Sequence, residues 1–405
     1  MNKSLLSSFL VNPYILNGLV WLLVLTVYQM GWSKLCAPLS DELTGFMIIT
    51  IVASLIIGVI TFRKEKISFV KLQNISLKGV KIWMIIFYLM LFAEIAAGGG
   101  VPLLGYLSGN ILVAYDEFGI PVVHVVLVNG LSCLTLYLFY AFRSTGKGKL
   151  RKKIIIYLIL GFLPFILMFN RGAIISILLG MFIISILAAK NTLRSLVKII
   201  LGSFIILFAF GYLGNLRMGD KLSKVIMKGG KATKEFYDSP FPDEFFWAYL
   251  YMATPLANVQ NTIQKVNKTS GDTEDLENLI LYEFTPEMIT KQIKGNQEKD
   301  KTYKRNRSKL KVGWLNATSV YGRVYKYLGW PGMWLMFGFT ILFIFLNLKI
   351  LPTTSKWYIP AIATLDEIII MNLFDNMFIF MGMIPQLIIF VGLCYYQRFR
   401  RKSIR

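Results

Sequence analysis

The stretch of residues 154–189, IIIYLILGFLPFILMFNRGAIISILLGMFIISILAA, decides the fold class of this chain. It consists of two apolar runs, 154–169 and 173–189, separated only by the turn Asn170-Arg171-Gly172. A helix needs about 20 predominantly apolar residues to cross a bilayer core, and each run is long enough, or nearly so. The stretch therefore predicts a transmembrane hairpin with an arginine at its tip.

Apolar runs of this kind recur along all 405 residues, of which 55% are hydrophobic and only 16% are charged. The mean hydropathy of +0.58 is too high for a soluble domain of this length. We therefore predict an all-α polytopic membrane protein with about ten spanning helices and both termini on the inner side. The predicted spans are residues 13–32, 43–62, 81–97, 119–142, 154–169, 173–189, 199–215, 330–348, 357–373 and 377–397.

The formal net charge of +22 invites a nucleic-acid partner, but the positions of the basic residues argue against one. Of the 44 Lys and Arg residues, 23 lie in the N-terminus, the C-terminal tail and four inter-helix segments. Two predicted spans separate each consecutive pair of these segments, so all of them face the same side. Because basic loops stay in the cytoplasm, the charge reflects topology, and no nucleic-acid partner is expected. The inter-helix segments are 63–81, 143–153, 190–198 and 349–356, and the tail is 398–405.

This topology divides the chain into an N-terminal transmembrane bundle (1–215), a long outer segment (216–329) and C-terminal helices with a basic tail (330–405). The outer segment carries 19 Lys and Arg residues, and long loops cross the membrane largely regardless of charge. Within it, 245–253 (FFWAYLYMA) predicts an interfacial helix and 276–289 predicts a surface helix.

Four aromatic residues precede or open the eighth predicted span, and such residues are typical of a belt at a membrane interface. They are Tyr321, Tyr325, Tyr327 and Trp330.

Two polar residues near the outer ends of the third and fourth spans are candidates for chemistry. Glu94 lies about one turn inside the end of its span, before the glycines 98–100 and Pro102. An acidic residue inside the membrane is a functional hypothesis by default. His124, a little over one turn into the next span, is a candidate base or hydroxyl-orienting group. For both residues, a purely structural pairing between helices stays open.

Three arginines are predicted on the outer side: Arg171 in the hairpin, Arg217 after the seventh span, and Arg323 among the aromatic residues. Arginine forks bind phosphates and carboxylates in two-pronged geometry, so these residues favour an anionic lipid headgroup such as a pyrophosphate. The alternative is that each is a simple anchor whose long side chain reaches the interface.

Two acidic residues, Asp366 and Glu367, fall inside the ninth predicted span, and Asp375 lies near its end. These residues either pair with basic groups or relay protons, and both interpretations stay open.

Metal and disulfide chemistry are not expected. The chain has one histidine and three scattered cysteines, which show neither metal-ligand spacing nor a disulfide framework. We expect no cofactor.

The order of these pieces resembles the Wzy-type oligosaccharide repeat-unit polymerases, the O-antigen polymerase group, over nearly the whole chain. One departure is the basic segment 323–327, where the family often has an acidic residue. The matching pieces are Glu94 with 98–104 (GGGVPLL), 115–121 (YDEFGIP) with His124, 170–172 (NRG), 214–217 (GNLR), 249–258 (YLYMATPLAN), 316–318 (NAT) before Tyr321, and 328–332 (LGWPG).

The resemblance implies a metal-independent glycosyltransferase with a GT-C-like architecture at the periplasmic face of the bacterial inner membrane. It would transfer a growing glycan from undecaprenyl pyrophosphate to a newly flipped lipid-linked repeat unit, and undecaprenyl pyrophosphate would leave. The implied partners are undecaprenyl-pyrophosphate-linked oligosaccharides and membrane lipids, with a chain-length regulator and a flippase of the same pathway as further candidates.

The resemblance also suggests roles for the candidate residues. The catalytic set is Glu94 or His124 to orient or deprotonate the acceptor hydroxyl, with Arg171 and Arg217 to clamp the pyrophosphates. The substrate-binding set is Arg323, Tyr249, Trp247, Asn258, Asn316 and Tyr321, in which Trp247 and Tyr249 provide faces for sugar stacking.

Two other functions stay open. A ligase would transfer a finished glycan to a lipid acceptor, and the sequence barely separates it from a polymerase. A transporter or flippase for a lipid-linked sugar would use broken helices and intramembrane acids such as Glu94, Asp366 and Glu367, although the large outer segment favours chemistry at the outer face.

Overall fold

A computed structural model describes residues 3–64, 67–73, 75–108, 118–189, 193, 197, 200–201, 227–268, 271–293 and 308–402. Regular structure within these ranges is helical, which confirms the predicted all-α fold. The helices are α1 (Lys3–Leu10), α2 (Pro13–Tyr28), α3 (Asp41–Lys64), α4 (Lys78–Ala97), α5 (Pro102–Leu107), α6 (Pro121–Ser144), α7 (Lys149–Leu167), α8 (Arg171–Leu187), α9 (Lys234–Tyr237), α10 (Glu244–Val266), α11 (Thr273–Leu279), a π-helical turn (Ile280–Phe284), α12 (Ser319–Leu328), α13 (Trp330–Ile350), α14 (Tyr358–Met371) and α15 (Ile384–Lys402).

Several of these helices have the character expected of membrane spans. In the described part of the chain, α3, α4, α6 and α13 are long and apolar enough to cross a bilayer, and α2 and α8 are shorter apolar helices. The chain is therefore an all-α protein of membrane type. The predicted seventh span, 199–215, lies outside the described residues apart from isolated positions, while each of the other nine predicted spans contains a helix.

The chain forms two compact units, of which unit 1 comprises Met1–Lys66, Asn191–Phe345 and Ile368–Phe380. Its α2 and α3 pack closely against each other. A Cβ atom added at Gly18 of α2 would lie only 2.8 Å from the Leu55 side chain of α3. Small residues of this kind let apolar helices approach each other.

The outer segment of unit 1 is built around α10. This helix packs against α2 and α12, and α12 also contacts α11. Tyr321, Tyr325 and Tyr327 of α12 are only 1–2% exposed. The prediction that they form an interfacial belt is therefore wrong, because they complete the core of this unit.

Unit 2 comprises Ile67–Lys190, Leu346–Glu367 and Met381–Arg405. Helix α6 is central to it and contacts α4, α7, α8 and α15. Asn129 of α6 donates a hydrogen bond from Nδ2 to the Met381 carbonyl at 2.9 Å, which ties α6 to the segment before α15.

Glycines again set the helix contacts in unit 2. A side chain at Gly130 of α6 would meet the Phe87 ring of α4 at 2.5 Å, and one at Gly161 of α7 would meet Thr135 Oγ1 of α6 at 2.5 Å. The helices that carry the candidate site are therefore closely packed.

Predicted boundaries differ from the structure in the outer segment. Helix α10 continues to Val266, well beyond the predicted interfacial helix 245–253. It runs through Pro255 because residues 253–262 are buried against neighbouring helices, and packing outweighs the hydrogen bond that proline removes. The predicted surface helix 276–289 is divided between α11 and the π-helical turn.

The predicted start of the last span is also wrong, since α15 begins at Ile384 rather than at residue 377. Asn372 Oδ1 accepts from the Met377 amide at 2.9 Å, and Asn376 Oδ1 accepts from the Phe378 amide at 3.1 Å. These side-chain oxygens bond backbone N–H groups in a non-helical conformation. Helix α15 therefore begins later than the apolar sequence predicts.

Candidate active site

Four helices of unit 2 bring three predicted catalytic positions to one end. Helices α4 and α6 cross with Phe87 against Gly130, and α6, α7 and α8 follow one another through short turns and pack together. They therefore alternate in direction, and the end of α4 meets the start of α6 beside the turn from α7 to α8. Glu94, His124 and Arg171 all lie at this end.

The opposite end of the same helices carries the basic connection between α6 and α7. Lys147 lies in the connection itself, Arg143 lies in the last turn of α6, and Lys149, Arg151 and the lysines 152–153 lie at the start of α7. Unit 2 is thus polarised, since the basic residues around this connection lie at the end opposite Glu94, His124 and Arg171.

Glu94 and His124 form a hydrogen-bonded pair. Glu94, in the last turn of α4, is 0% exposed, whereas the His124 side chain, in the first turn of α6, is 23% exposed. His124 Nδ1 lies 3.0 Å from Glu94 Oε2. Glu94 Oε1 has no hydrogen-bond partner among the described residues. The carboxylate favours a proton on Nδ1, which leaves Nε2 of the partly exposed ring as a proton acceptor.

The residues around this pair explain how the histidine is seated. Gly119 has a φ of +107°, and a side chain there would lie 2.7 Å from His124 Nδ1. The Phe118 ring stands edge-on to the imidazole with centroids 6.2 Å apart, and a side chain at Gly98 would lie 3.1 Å from that phenyl ring. Gly119 therefore makes room for the imidazole, and Gly98 makes room for the Phe118 ring that stands against it.

Arg171 is the first residue of α8 and is exposed. Asn170 caps the helix, with its Oδ1 accepting from the Ala173 amide at 3.0 Å. The Arg171 guanidinium carbon lies 5.1 Å from the centroid of the Phe169 ring, within the range of a cation–π contact. A helix N-terminus carries partial positive charge, so this helix end and Arg171 together favour an anion. Arg217, the second predicted phosphate ligand, lies outside the described residues.

These three residues combine two chemical functions at one end of unit 2. The imidazole, oriented by a buried carboxylate, is able to accept a proton from a hydroxyl group. The guanidinium is able to stabilise negative charge on an oxyanion such as a phosphate. Glu94 has no hydroxyl within reach of its second oxygen among the described residues, and its contact with the imidazole gives it a positioning role.

Arg323, predicted to bind substrate, lies instead in a buried network of unit 1. Its Nε donates to Glu283 Oε1 at 2.8 Å and its Nη1 lies 3.0 Å from Asp375 Oδ1. Asn376 Nδ2 donates to Glu283 Oε2 at 3.1 Å. Burial raises the pKa of Glu283, while Arg323 acts in the opposite direction. Since two carboxylates already balance the guanidinium, this geometry supports a structural role for Arg323 rather than a phosphate clamp.

Asn258 is also occupied by structural contacts. It is 0% exposed, and its Nδ2 donates to the carbonyls of Leu315 and Ala317, both at 2.8 Å. Its Oδ1 accepts from the Lys311 amide at 2.8 Å. These bonds hold the loop before α12 and leave no polar group of Asn258 for a sugar. Asn316, in the same loop, is exposed and stays a candidate.

Two of the predicted aromatic ligands are core residues. Tyr321 is 2% exposed and packs between Trp21 and Phe46, with ring centroids 5.2 and 5.1 Å away. Tyr249 is also 2% exposed and lies 5.4 Å from the Trp32 ring, and burial raises the pKa of its hydroxyl. Neither ring offers a face to a saccharide in this packing.

Trp247 is only partly exposed, and beside it lies an exposed aromatic residue, Trp314, that the sequence analysis did not single out. The Trp247 ring lies 5.7 Å from that of Trp314 and 5.6 Å from that of Tyr251. Trp314 is 46% exposed and Tyr251 is 38% exposed. Trp314 could have been identified from the sequence, because a tryptophan in a polar, lysine-rich loop is a candidate binding residue.

Two acidic residues of α14, predicted to lie inside a span, are buried within unit 2. Asp366 and Glu367 are both 0% exposed, and Ser176 Oγ donates to Glu367 Oε2 at 2.7 Å. Both Asp366 oxygens and Glu367 Oε1 have no hydrogen-bond partner among the described residues.

Comparisons with known proteins give no relative on which to base an assignment: no family model, no curated protein and no solved structure matches this chain.

Proposed function

We propose that this chain is a membrane glycosyltransferase that polymerises lipid-pyrophosphate-linked oligosaccharide repeat units. The observation that carries the proposal is the pairing of buried Glu94 with partly exposed His124, at the same end of unit 2 as Arg171. A base for a hydroxyl and a cation for a phosphate are the two groups that such a transfer needs.

In the proposed reaction, a hydroxyl of the lipid-linked acceptor attacks the anomeric carbon of the donor glycan. As the new carbon–oxygen bond forms, the bond from the anomeric carbon to the pyrophosphate oxygen breaks. His124 Nε2 takes the hydroxyl proton, and Glu94 stabilises the resulting imidazolium through Nδ1. Arg171 offsets charge on the departing undecaprenyl pyrophosphate, and Arg217 is proposed as a second ligand of it. His124 then returns its proton to water.

The proposed location is the outer face of the bacterial inner membrane, with both termini in the cytoplasm. The polarity of unit 2 supports this orientation, because its basic connection lies at the end opposite the Glu94–His124 pair and basic loops remain inside. The pair would then face the periplasm, where lipid-linked repeat units are available after flipping.

A deletion strain complemented with variants tests the proposal in cells. Arg171→Ala should shorten the glycan ladder on a gel, and Arg171→Lys should restore it only in part, because lysine cannot bind a phosphate with two parallel hydrogen bonds. Lys147→Ala is the matched control, since it removes an exposed cation from the opposite end of unit 2.

The outcomes also separate the polymerase from a ligase. Single repeat units attached to the final acceptor indicate a lost polymerase, whereas full-length glycan left on its carrier indicates a lost ligase. A full ladder in both Arg171 variants, at matched expression, would remove Arg171 from the mechanism.

A lipid-linked sugar transporter is the second candidate, favoured by the buried acids Asp366 and Glu367. Ionisable groups within apolar helices often mark ion or proton pathways. Purified protein in detergent that lengthens a lipid-linked glycan without any gradient would exclude a purely transporting role. Glu367→Gln should leave that elongation intact if the polymerase assignment is correct.

A further inference from the structure

Unit 1 contains a cationic cleft formed by residues that the proposed transfer reaction does not use. The cleft has a volume of about 700 Å³ and is lined by Lys34, Lys228 and Lys231, together with Tyr237 and Asp243. Three ammonium groups against one carboxylate make its lining positive. A volume of this size falls in the range of small-molecule sites, roughly 300–1,000 Å³.

The backbone holds these lysines together although they are distant in sequence. The Lys34 amide donates to the Lys231 carbonyl at 3.0 Å, and Ser33 forms an antiparallel bridge with Ala232. The Thr233 amide donates to the Trp32 carbonyl at 3.0 Å. The loop between α2 and α3 is therefore fixed to the segment before α9, and the lysines cannot separate without breaking these bonds.

Further charges lie beside the lining, namely the Glu235 carboxylate near Lys34 and the lysines around Lys311. Burial lowers the pKa of Lys311, and the nearby charges of Lys265 and Lys231 lower it further. Gathering like charges in this way is unfavourable without a counterion. A bound anion would relieve that repulsion.

Aromatic faces stand beside the lysines. Tyr237 of the lining is 61% exposed. Trp314 lies next to Gly229, which lies between Lys228 and Lys231 in sequence. A Cβ atom added at Gly229 would be 3.4 Å from the indole ring. Exposed aromatic rings present flat apolar surfaces with a polar rim, and these suit the C–H face of a sugar ring. A flat lipid surface would require neither a cleft nor these faces.

We propose that this cleft binds an acidic saccharide, with the sugar's carboxylate or phosphate among Lys34, Lys228 and Lys231 and its ring against Tyr237 and Trp314. The inference rests on the proposed function and narrows it, since it makes the repeat unit an anionic glycan. Exposed lysine–anion pairs are individually weak and screened by salt. Binding should therefore be of millimolar order and should weaken as salt is added.

The test is equilibrium binding to the purified full chain, with trigalacturonic acid as the acidic probe and maltotriose as a neutral trisaccharide. The cleft variant is Lys34→Ala with Lys228→Ala, which spares Lys231 because its φ of +51° disfavours alanine. The control is Lys149→Ala with Lys291→Ala, which removes the same charge from exposed sites elsewhere. The thermal midpoint of each variant verifies folding.

The wild type should bind the acidic probe at least fivefold more tightly than the neutral one. The cleft variant should lose that preference, while the control variant keeps it. Trp314→Ala should weaken binding of the acidic probe without changing competition by inorganic phosphate. Equal binding of both probes, or a cleft variant indistinguishable from the control, would overturn the proposal.

Two further measurements complete the test. The first distinguishes saccharide binding from membrane contact. The second distinguishes an error in the cleft proposal from an error in the polymerase proposal. If vesicles containing phosphatidylglycerol bind through the cleft lysines and the acidic probe does not, the cleft is a membrane contact and the saccharide proposal is wrong. The binding assay requires no turnover. If the chain prefers the acidic probe but never elongates glycan, the polymerase proposal is refuted and the proposal of an acidic-saccharide site is supported. If the cleft variant elongates glycan normally and the wild type shows no preference for the acidic probe, only the proposal of an acidic-saccharide site is refuted.

Discussion

The buried ion network around Arg323 gives a prediction that separates a structural residue from a substrate ligand. Glu283 is 1% exposed and Arg323 is 7% exposed, and they meet at 2.8 Å. Glu283→Gln removes the buried charge and one acceptor. It leaves Arg323 with Asp375, whose side chain is 45% exposed. Removing one partner of a buried ion pair costs about 3–5 kcal/mol, so this variant should lose stability in that range.

Arg323→Met should cost less, about 1–3 kcal/mol at neutral pH, because a buried carboxyl group is able to take up a proton instead of remaining an unpaired charge. The double variant should be more stable than the two single losses added together predict, by about 2–3 kcal/mol. The assay is unfolding of purified protein in detergent, followed by intrinsic fluorescence.

The Arg323→Met variant should also become sensitive to pH. Burial already raises the pKa of Glu283, and Arg323 is the main opposing influence. Without it, the folded-state pKa stands further above the unfolded value of about 4.3. The stability of this variant is then fully retained below that value and falls as the pH rises towards the folded-state pKa.

The matched control is the double variant Glu283→Gln with Arg323→Met, which has no carboxyl at this position and should lack the additional pH dependence. A single Arg323→Met variant that unfolds like the wild type but forms no polymer would refute the structural interpretation and restore Arg323 as a substrate ligand.

Three further predictions concern the candidate site and its setting. Gly119→Ala should displace His124 from the Glu94 carboxylate and abolish elongation. The backbone φ of +107° disfavours alanine, and the new side chain would overlap the imidazole ring. The control is Gly100→Ala, where an added Cβ atom would have no neighbour within 4 Å. Asn258→Ala should lower the free energy of unfolding by about 1–3 kcal/mol through loss of its bonds to Lys311, Leu315 and Ala317, measured by thermal unfolding; an unchanged thermal midpoint would contradict this structural role. A cysteine at Arg171 should react with an impermeant maleimide added from the periplasmic side, and one at Lys147 should not; the reverse pattern would place the site on the wrong face.

Hydropathy was sufficient to predict the long apolar helices, but not all of their limits and not shorter helices such as α5 and α12. Runs such as 154–189 predict spans because apolar length dominates the signal. The late start of α15 depends on the side-chain oxygens of Asn372 and Asn376, which accept from the Met377 and Phe378 amides in the folded chain. The extension of α10 through Pro255 likewise depends on burial by neighbouring helices.

The candidate site was predictable where sequence neighbours become spatial neighbours. Glu94 lies at the end of α4 and His124 at the start of α6, so their proximity follows from the antiparallel packing of these two long helices. Pairing of Asp375 with a basic group was one of the two predicted interpretations, and its ion pair with Arg323 agrees with it. Neither Arg323 as its partner nor the role of Glu283 could be foreseen, because these residues come from distant parts of the chain. The cationic cleft was hidden for the same reason, since Lys34 and Lys231 meet only through the folded backbone.

The most direct measurement of the central claim is the rate at which purified protein elongates its native lipid-linked repeat unit. His124→Ala should lower that rate by about 10²–10⁴-fold, the usual contribution of a positioned general base. Val122→Ala, an exposed apolar position in the same helical turn, should stay close to the wild type. An elongation rate in His124→Ala within a few fold of the wild type, with folding intact, would contradict the proposed chemistry.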